Sequence, residues 1–566
     1  VAALTFVTFL PILANGFVNW DDTLMLIFNP NYRGLGLAQL KFAFTTDWSA
    51  HYHPITWLTY EVDYVIWGMN PKGYHLTSML IHSATAAVAA LLARKLLRRA
   101  AQLEGIALEV GALVAALAFS VHPLRVEVVA WASARRDVVS GLAFFATLLA
   151  YVWAIEALDA GAVGRYRRRL VAALLLGVMA LLSKSISMVL PVVLLILDVY
   201  PLRRPLADAR LWREKLLFVV PAAATAVMAL IAVGRREFGA SGGYDALDRV
   251  MMAAHSLAFY LLKTVAPFNL SPIYEIPVHL DPLQWRFVAS AVAVLAISAI
   301  AVLARRRAPW LAAAWAYHIV TVLPVSGLTH AGFQLAYDRY TYLLGLGWAL
   351  LAGAGVGLVI RAWQAGALQA RAVVAVVMVT VVTLGSWSHL ARRHGRIWHD
   401  SFSLWSQGLL LNPDSCSVCH HGFAVVARDA GVYDEAERQL RRALAIRPAY
   451  PQAYINLADV LELAGRPHEA IRTLREAERI FAADAAMARG FLRVRAEVEG
   501  RVPSILTPLR RPRRWHRPRR RRPGDQGRRE VACDRCAVCA RASRSRSSAL
   551  PGTSAAASAR TRTAAV

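Results

Sequence analysis

Cysteine is scarce in this 566-residue chain, and all five cysteines lie after residue 415, so no disulfide framework supports the main body. Acidic residues are few as well: 37 Asp and Glu stand against 64 Lys and Arg, a net charge of +27. In a soluble protein that excess would point to nucleic acid, but its placement argues against such a partner. Residues 503–566 take 17 Arg, three acidic residues and no Lys, and most of the remaining excess falls in short loops between apolar segments. No small-residue cleavage site precedes Asn19, so residues 1–17 do not read as a signal peptide. The sequence starts inside an apolar run and reads as lacking its natural N-terminus. The apolar segments lack mid-span charges and visible inverted repeats, which counts against a pore or transporter.

What is abundant is apolar surface. Hydrophobic residues make up 57% of the chain, Trp occurs 16 times, and the mean hydropathy is +0.40. Together these predict a polytopic membrane protein. Apolar runs recur near 1–17, 76–97, 107–121, 138–157, 169–183, 186–200, 215–234, 286–304, 309–325, 340–360 and 371–388, giving about eleven transmembrane helices. The basic clusters Arg94/Lys95/Arg98/Arg99, Arg165–Arg169, Arg203–Lys215, Arg305–Arg307 and Arg361/Arg371 then all fall on one face, the cytoplasmic one. The count closes only if Val250–Phe268, interrupted by His255 and Lys263, does not cross and is re-entrant or interfacial.

The opposite, extracytoplasmic face collects the reactive side chains. Its first loop, about 19–74, carries Asp21, Asp22, His51, His53, Glu61 and Asp63, and the second span opens on a polar stripe of His75, Ser78 and His82. Later loops add His122–Glu127, Arg135-Arg136-Asp137, Lys184, Tyr274-Glu275 and Asp338-Arg339. An acidic pair at a helix mouth, as in Trp20-Asp21-Asp22, is either a helix cap on a solvated loop or part of a site. Arginine on the face where topology disfavours positive charge suits a lipid-linked phosphate, or an ion pair with Asp137 or Glu127. His51-Tyr52-His53 could hold a metal or a phosphate, or simply hydrogen-bond at the surface. No dependable metal site emerges.

After the last span a 34-residue repeat appears: Gly431/Gly465, Ala436/Ala470, Leu440/Leu474 and Ala443/Ala477 recur in phase. Small residues at fixed phase are the packing pattern of tetratricopeptide helix pairs, and residues 485–500 read as a capping helix. The expected domains are 1–400 in the membrane, 401–500 as an extracytoplasmic α-solenoid, and 501–566 as a disordered Arg-rich tail. That tail suggests a reading-frame slip, which absence of repeat consensus in the other two frames past Leu506 would refute. Cys416-Ser417-Val418-Cys419-His420 matches the haem-attachment pattern or is a coincidence of a repeat helix. Cys533, Cys536 and Cys539 have zinc-like spacing without a fourth ligand or a folded frame.

The order Trp20-Asp21-Asp22, Asn29-Pro30, His51–Pro54, Trp67-Gly68 with Tyr74-His75, His122–Glu127, Arg135–Val138, Leu270–Pro277 and Asp338–Tyr342, followed by the repeats, resembles the transmembrane-and-tetratricopeptide-repeat O-mannosyltransferases over roughly residues 1–484. These enzymes belong to the C-type glycosyltransferase (GT-C) superfamily. The resemblance implies an all-α membrane glycosyltransferase in a bacterial inner membrane or its equivalent. Its reaction would move a sugar, typically mannose, from a polyprenyl-phosphate carrier to Ser or Thr hydroxyls of a protein acceptor docked by the repeats. By motif position Asp21 is the base, with Asp22 the alternative. Arg135, Arg136 and Arg339 would receive the donor phosphate, and His51, His53, His75, Glu127, Lys184 and Asp338 would line the site. No cofactor is called for. The competing reading is a non-catalytic, membrane-anchored scaffold whose repeats bind partners.

Overall fold

The computed structural model describes residues 1–48, 51–234, 244–328 and 333–501. The Arg-rich tail, the frame-slip reading and Cys533, Cys536 and Cys539 lie outside the described residues. The membrane part runs α1 (Ala2–Phe9), α2 (Leu37–Thr45), α3 (Pro54–Trp67), α4 (Pro71–Ala101), α5 (Gly105–Ser120), α6 (Val126–Ala130), α7 (Arg135–Asp159), α8 (Val163–Ser183), α9 (Leu190–Val199), α10 (Ala209–Gly234), α11 (Ala246–Val265), α12 (Trp285–Ala304), α13 (Pro309–Val322), α14 (Thr341–Gln364) and α15 (Ala370–Gly395). Six of the described helices are long and apolar enough to cross a membrane, or seven if the bent pair Gly105–Ser120 and Pro123–Ala130 is one span. Each of the eleven apolar runs is helical, but several are short: Ala2–Ala14, Ser185–Val199 and Pro309–Val325 fall below the length of a straight span. The α8 run is preceded by four arginines, which lowers its apolar character.

Local sequence sets the helix starts. Asn70 accepts from the Lys72 amide at 3.1 Å, with Pro71 at the first helical position. Asp245 and Asp248 form a reciprocal capping box that starts α11. Helix α11 then stays at one end of the bundle. Its Ser256 donates to the Ser326 carbonyl at 3.1 Å, and the Thr264 carbonyl meets His122 Nε2 at 3.0 Å.

Side-chain contacts sort the helix ends into two sets. At one end Arg361 donates to the Ala101 carbonyl at 2.7 Å, Tyr200 donates to the Ala100 carbonyl at 3.1 Å, and Arg99 pairs with Asp159 at 2.8 Å. The C-termini of α4, α7, α9 and α14 therefore meet there, among the basic loops. The N-termini of α7 and α14 and the C-terminus of α8 meet at the other. An antiparallel pair, β1 (Tyr274–Glu275) on β2 (Gln334–Ala336), folds the 271–277 loop over the entrance to α14.

Helices α16 (Ser401–Leu411), α17 (Ser417–Asp429), α18 (Tyr433–Ile446), α19 (Pro451–Leu463), α20 (Pro467–Ile480) and α21 (Ala485–Arg501) follow. The repeat phase is visible in the packing. Ala436, Leu440, Ala443, Ala470, Leu474 and Ala477 are all fully buried, and Gly431 and Gly465 turn the chain at φ +75° and +77°. The module sits directly on the membrane part through Glu275. Its carboxylate accepts from Ser417 Oγ at 2.5 Å, from the Val418 amide at 3.2 Å and from Arg447 Nε at 2.8 Å.

Candidate functional site

The loop after α1 gives its two adjacent carboxylates different surroundings. Asp22 is fully buried; its Oδ2 accepts from the Val18 amide at 3.0 Å, and its Oδ1 accepts from the Ser133 amide at 2.9 Å and Ser133 Oγ at 2.5 Å. Burial pushes its carboxyl up to about 7 despite those donors. Asp22 thus pins the loop to the turn before α7. Asp21 keeps about a third of its side chain exposed (36%), and its Oδ2 lies 3.8 Å from Arg136 Nη2. Of the pair, Asp21 is the carboxylate a ligand can reach.

The two arginines also part company, because consecutive residues on a helix point about 100° apart. Arg135 is fully buried and turned toward α3 and α4, where it bonds Asp63 at 2.7 Å, Ser78 Oγ at 2.9 Å and the Tyr74 carbonyl at 2.6 Å. No phosphate reaches it there without breaking those contacts. Arg136 faces Asp21, and its Nε has no hydrogen-bond partner.

Lys184, arriving from the end of α8, pairs with Asp137 one residue further along α7. Burial brings its amine down to about 8, with Arg136 and Arg339 adding to the depression against the opposing pull of Asp137. Arg339 approaches from the start of α14. Its Nη1 bonds Glu127 Oε1 at 2.5 Å, its own amide donates to Glu127 Oε2 at 2.8 Å, and its guanidinium lies 3.5 Å from the Tyr337 ring centroid. A small cavity lined by Asp137, Ser140, Lys184, Arg339 and Tyr340 lies between them.

His53 is buried and stacked on Trp57 (centroids 5.2 Å apart), with neither ring nitrogen hydrogen-bonded. Burial, together with Arg136 and Lys184, depresses it to about 3, so the ring is neutral at pH 7. His51 sits at the exposed rim, 6.1 Å from His53 by ring centroid.

Asp21, His51, His53, Arg136, Lys184, Glu127 and Arg339 therefore come together. Four other sequence candidates support that cluster from outside it. His75 Nε2 meets the Gly16 carbonyl at 3.3 Å and steadies the incoming loop. Asp338 accepts from Tyr274 at 3.1 Å on the far side of Arg339. Asp22 and Arg135 act as described above. Among the described residues no three His, Cys, Asp or Glu side chains converge as a metal ion needs. Cys416 and Cys419 are joined in a disulfide, and His420 is engaged at both nitrogens, by Gln439 at 2.5 Å and the Pro413 carbonyl at 2.9 Å. In this state neither the sulfurs nor the ring is free for haem.

Sequence reasoning missed the aromatic wall behind Asp21. Trp20 lies 4.8 Å from Trp405 and 6.3 Å from both Trp131 and Tyr337, by ring centroids. The abundance of Trp was a signal, but not which rings would meet.

Comparison with known proteins bears on the whole arrangement. Residues 420–483 match the tetratricopeptide repeat family. The chain is 24% identical over 492 residues to the protein O-mannosyl-transferase TMTC1 of Homo sapiens, covering 77% of this chain and 54% of that protein. It is 31% identical over 158 residues to Tmtc1 of Drosophila melanogaster (26% of this chain, 17% of that one). With tmtc2 of Xenopus laevis it shares 33% over 101 residues (18% and 11%). The chain thus spans about half the length of the human relative. A crystal structure of ArnT from Cupriavidus metallidurans bound to undecaprenyl phosphate gives a TM-score of 0.37 at 15% identity, covering 84% of this chain and 79% of that one, a distant likeness. The resemblance read from motif order is borne out at the level of sequence: this mainly helical, repeat-bearing chain is similar over most of its length to human TMTC1 and over shorter stretches to other TMTC O-mannosyl-transferases.

Proposed function

We propose that the chain is a membrane glycosyltransferase that moves a sugar, mannose by analogy with its relatives, from a polyprenyl-phosphate carrier to Ser or Thr hydroxyls of a protein. The observation that carries this reading is the reachable carboxylate of Asp21 set 3.8 Å from Arg136, with Lys184 and Arg339 in the same cluster. The acceptor hydroxyl gives its proton to Asp21 as its oxygen attacks the anomeric carbon. The bond from that carbon to the phosphate oxygen breaks, and the carrier phosphate leaves with one more negative charge. Arg136, Lys184 and Arg339 are placed to offset that charge. Neutral His53, with two unpaired ring nitrogens, suits a sugar hydroxyl.

Two features support an extracytoplasmic site. The basic loops gather at the opposite end of the bundle, as the positive-inside rule asks of a cytoplasmic face. The Cys416–Cys419 disulfide suits an oxidising compartment. In this reading residues 1–400 form the transferase part and residues 401–500 the module that docks the acceptor. Membranes carrying the chain, given a labelled polyprenyl-phosphate mannose and a Ser/Thr peptide, should yield labelled peptide. Asp21→Asn should cut the label by about a hundredfold or more without changing membrane insertion, and full activity in that variant rejects the assignment.

A further inference from the structure

The loop that carries Asp21 is tied to the repeat module by a clamp built on Asn19. The Asn19 amide donates to Ser401 Oγ at 2.9 Å, its side-chain oxygen accepts from Trp405 Nε1 at 2.5 Å, and its Nδ2 donates to the Gly422 carbonyl at 3.4 Å. Ser401 and Trp405 lie on α16 and Gly422 on α17, so one asparagine bridges both leading helices of the module. Its partners stand 382 to 403 residues away in sequence. Gly422 is small for a reason visible here: a Cβ on it would come within 2.2 Å of the Trp405 indole.

The same indole continues the connection. Trp405 packs on Trp20, Trp20 packs on Trp131 and Tyr337, and the Arg339 guanidinium lies over both of those rings, 5.2 Å and 3.5 Å from their centroids. Asp21 and Arg339 come from different segments, the loop after α1 and the entrance to α14. Each is reached from α16 through Asn19 and Trp20 or through one further ring. Trp405 itself is almost fully buried (1% exposed), so the one polar atom of its side chain depends on Asn19.

We propose that Asn19 and Trp405 are positioning residues through which the repeat module sets the Asp21 carboxylate against Arg136 and Arg339. The module then contributes to the chemical step itself, beyond any docking of acceptor. This rests on the transferase reading for its consequence, but the clamp has a physical signature of its own. A displacement of about 1 Å at a reacting group can lower a rate by roughly a hundredfold, and the clamp is what fixes this loop from above.

The test compares the full-length chain with Asn19→Ala, Trp405→Phe and Gly422→Ala, and with Arg475→Ala as a remote control in the exposed Arg475–Glu499 pair. Hydrogen exchange is followed in detergent over residues 16–24. The three clamp variants should speed exchange there about tenfold or more, while α19 and α20 keep their protection; Arg475→Ala should leave residues 16–24 unchanged. With a Ser/Thr peptide too short to span the module, the clamp variants should lower kcat ten- to a hundredfold with the peptide KM unchanged. Ser401→Ala substitutes if Asn19→Ala does not fold. Unchanged exchange at 16–24, or a loss seen only as a higher KM for long acceptors, overturns the proposal. If wild-type chain transfers no sugar at all, the transferase reading fails, and the exchange result still decides the clamp.

Discussion

Two clusters of buried charge sit at opposite ends of the helix bundle, and they are built on opposite plans. At the basic end Asp198, Arg204, Glu214 and Lys215 gather round Tyr151 and Tyr166. Arg204 bonds Glu214 at 2.5 Å, Lys215 bonds Asp198 at 2.6 Å, Tyr151 donates to Asp198 at 2.8 Å, and Tyr166 donates to Glu214 at 2.7 Å. Two acids face two bases, and none of these residues has a buried polar atom without a partner. At the other end, among the described residues, His53 has neither nitrogen bonded, Arg136 Nε and Asp137 Oδ2 are unpaired, and Asp21 reaches one cation, at 3.8 Å. A closed network ties α7, α8, α9 and α10 together and has nothing left to offer a ligand. An open one costs stability, because each unpaired buried group loses its hydration. An open cluster is therefore the better candidate for a site, and the contrast locates it more sharply than either cluster alone.

The largest expected effect breaks the open cluster. Removing a general base lowers rates by about a hundred- to ten-thousandfold, so Asp21→Asn should fall in that range in the labelled-sugar assay while thermal unfolding in detergent shifts little. Breaking the closed cluster should do the reverse. Asp198→Ala leaves Lys215 buried without its carboxylate, at a cost of about 3–5 kcal/mol. A clear drop in unfolding temperature is expected, with residual chain keeping its donor KM. If Asp198→Ala lowered kcat but not stability, the division of labour between the ends would be refuted.

Lys184 allows the open cluster to be titrated. Its amine is brought down to about 8, so the cation is present below that pH and lost as pH rises through it. The KM for the phosphate-linked donor should climb up to about tenfold per pH unit above 8. Lys184→Arg, which stays charged, should flatten that rise. A profile in which both proteins behave alike would remove Lys184 from the donor site.

How much of this was legible in the sequence follows from which contacts are local. The eleven apolar runs and the 34-residue repeat are local patterns, and each became a helix or a helix pair. The Trp20-Asp21-Asp22 motif pointed to the loop that meets Arg136 and Ser133 in the structure. Deciding between its two carboxylates needed Ser133, 111 residues away, which occupies one oxygen of Asp22. Arg135 and Arg136 look equivalent in sequence, and only the packing of α7 against α3 and α4 separates them. Of the His75, Ser78 and His82 stripe only His75 was expected to line the site, and the other two serve the bundle interior: Ser78 receives Arg135, and His82 meets Tyr342 at 2.8 Å and the Ser120 carbonyl at 3.0 Å. Polar residues between membrane helices commonly act in this way. The Asn19 clamp had no sequence signal, since its partners lie almost four hundred residues away.

The smallest effect separates the neighbours Asp21 and Asp22 by stability. The Asp22 carboxyl stands at about 7 in the folded chain against an ordinary 3.8. Between those values the folded state holds a proton that the unfolded state releases, so this stabilising contribution is full below about pH 4 and declines as pH rises through 7, by at most about 1.4 kcal/mol per unit. Asp22→Asn removes that titration. It also turns an amide donor toward the Val18 N–H, at a cost of about 1–3 kcal/mol. Unfolding temperatures measured from pH 5 to 8 should therefore fall more steeply for the wild-type chain than for Asp22→Asn, which should be the less stable of the two at pH 5. Transfer activity in Asp22→Asn should exceed that of Asp21→Asn by about tenfold or more, since Asp22 supports the loop and Asp21 meets the substrate. Equal activities in the two variants would mean that the carboxylates act as one unit, and that burial does not distinguish the base from its support.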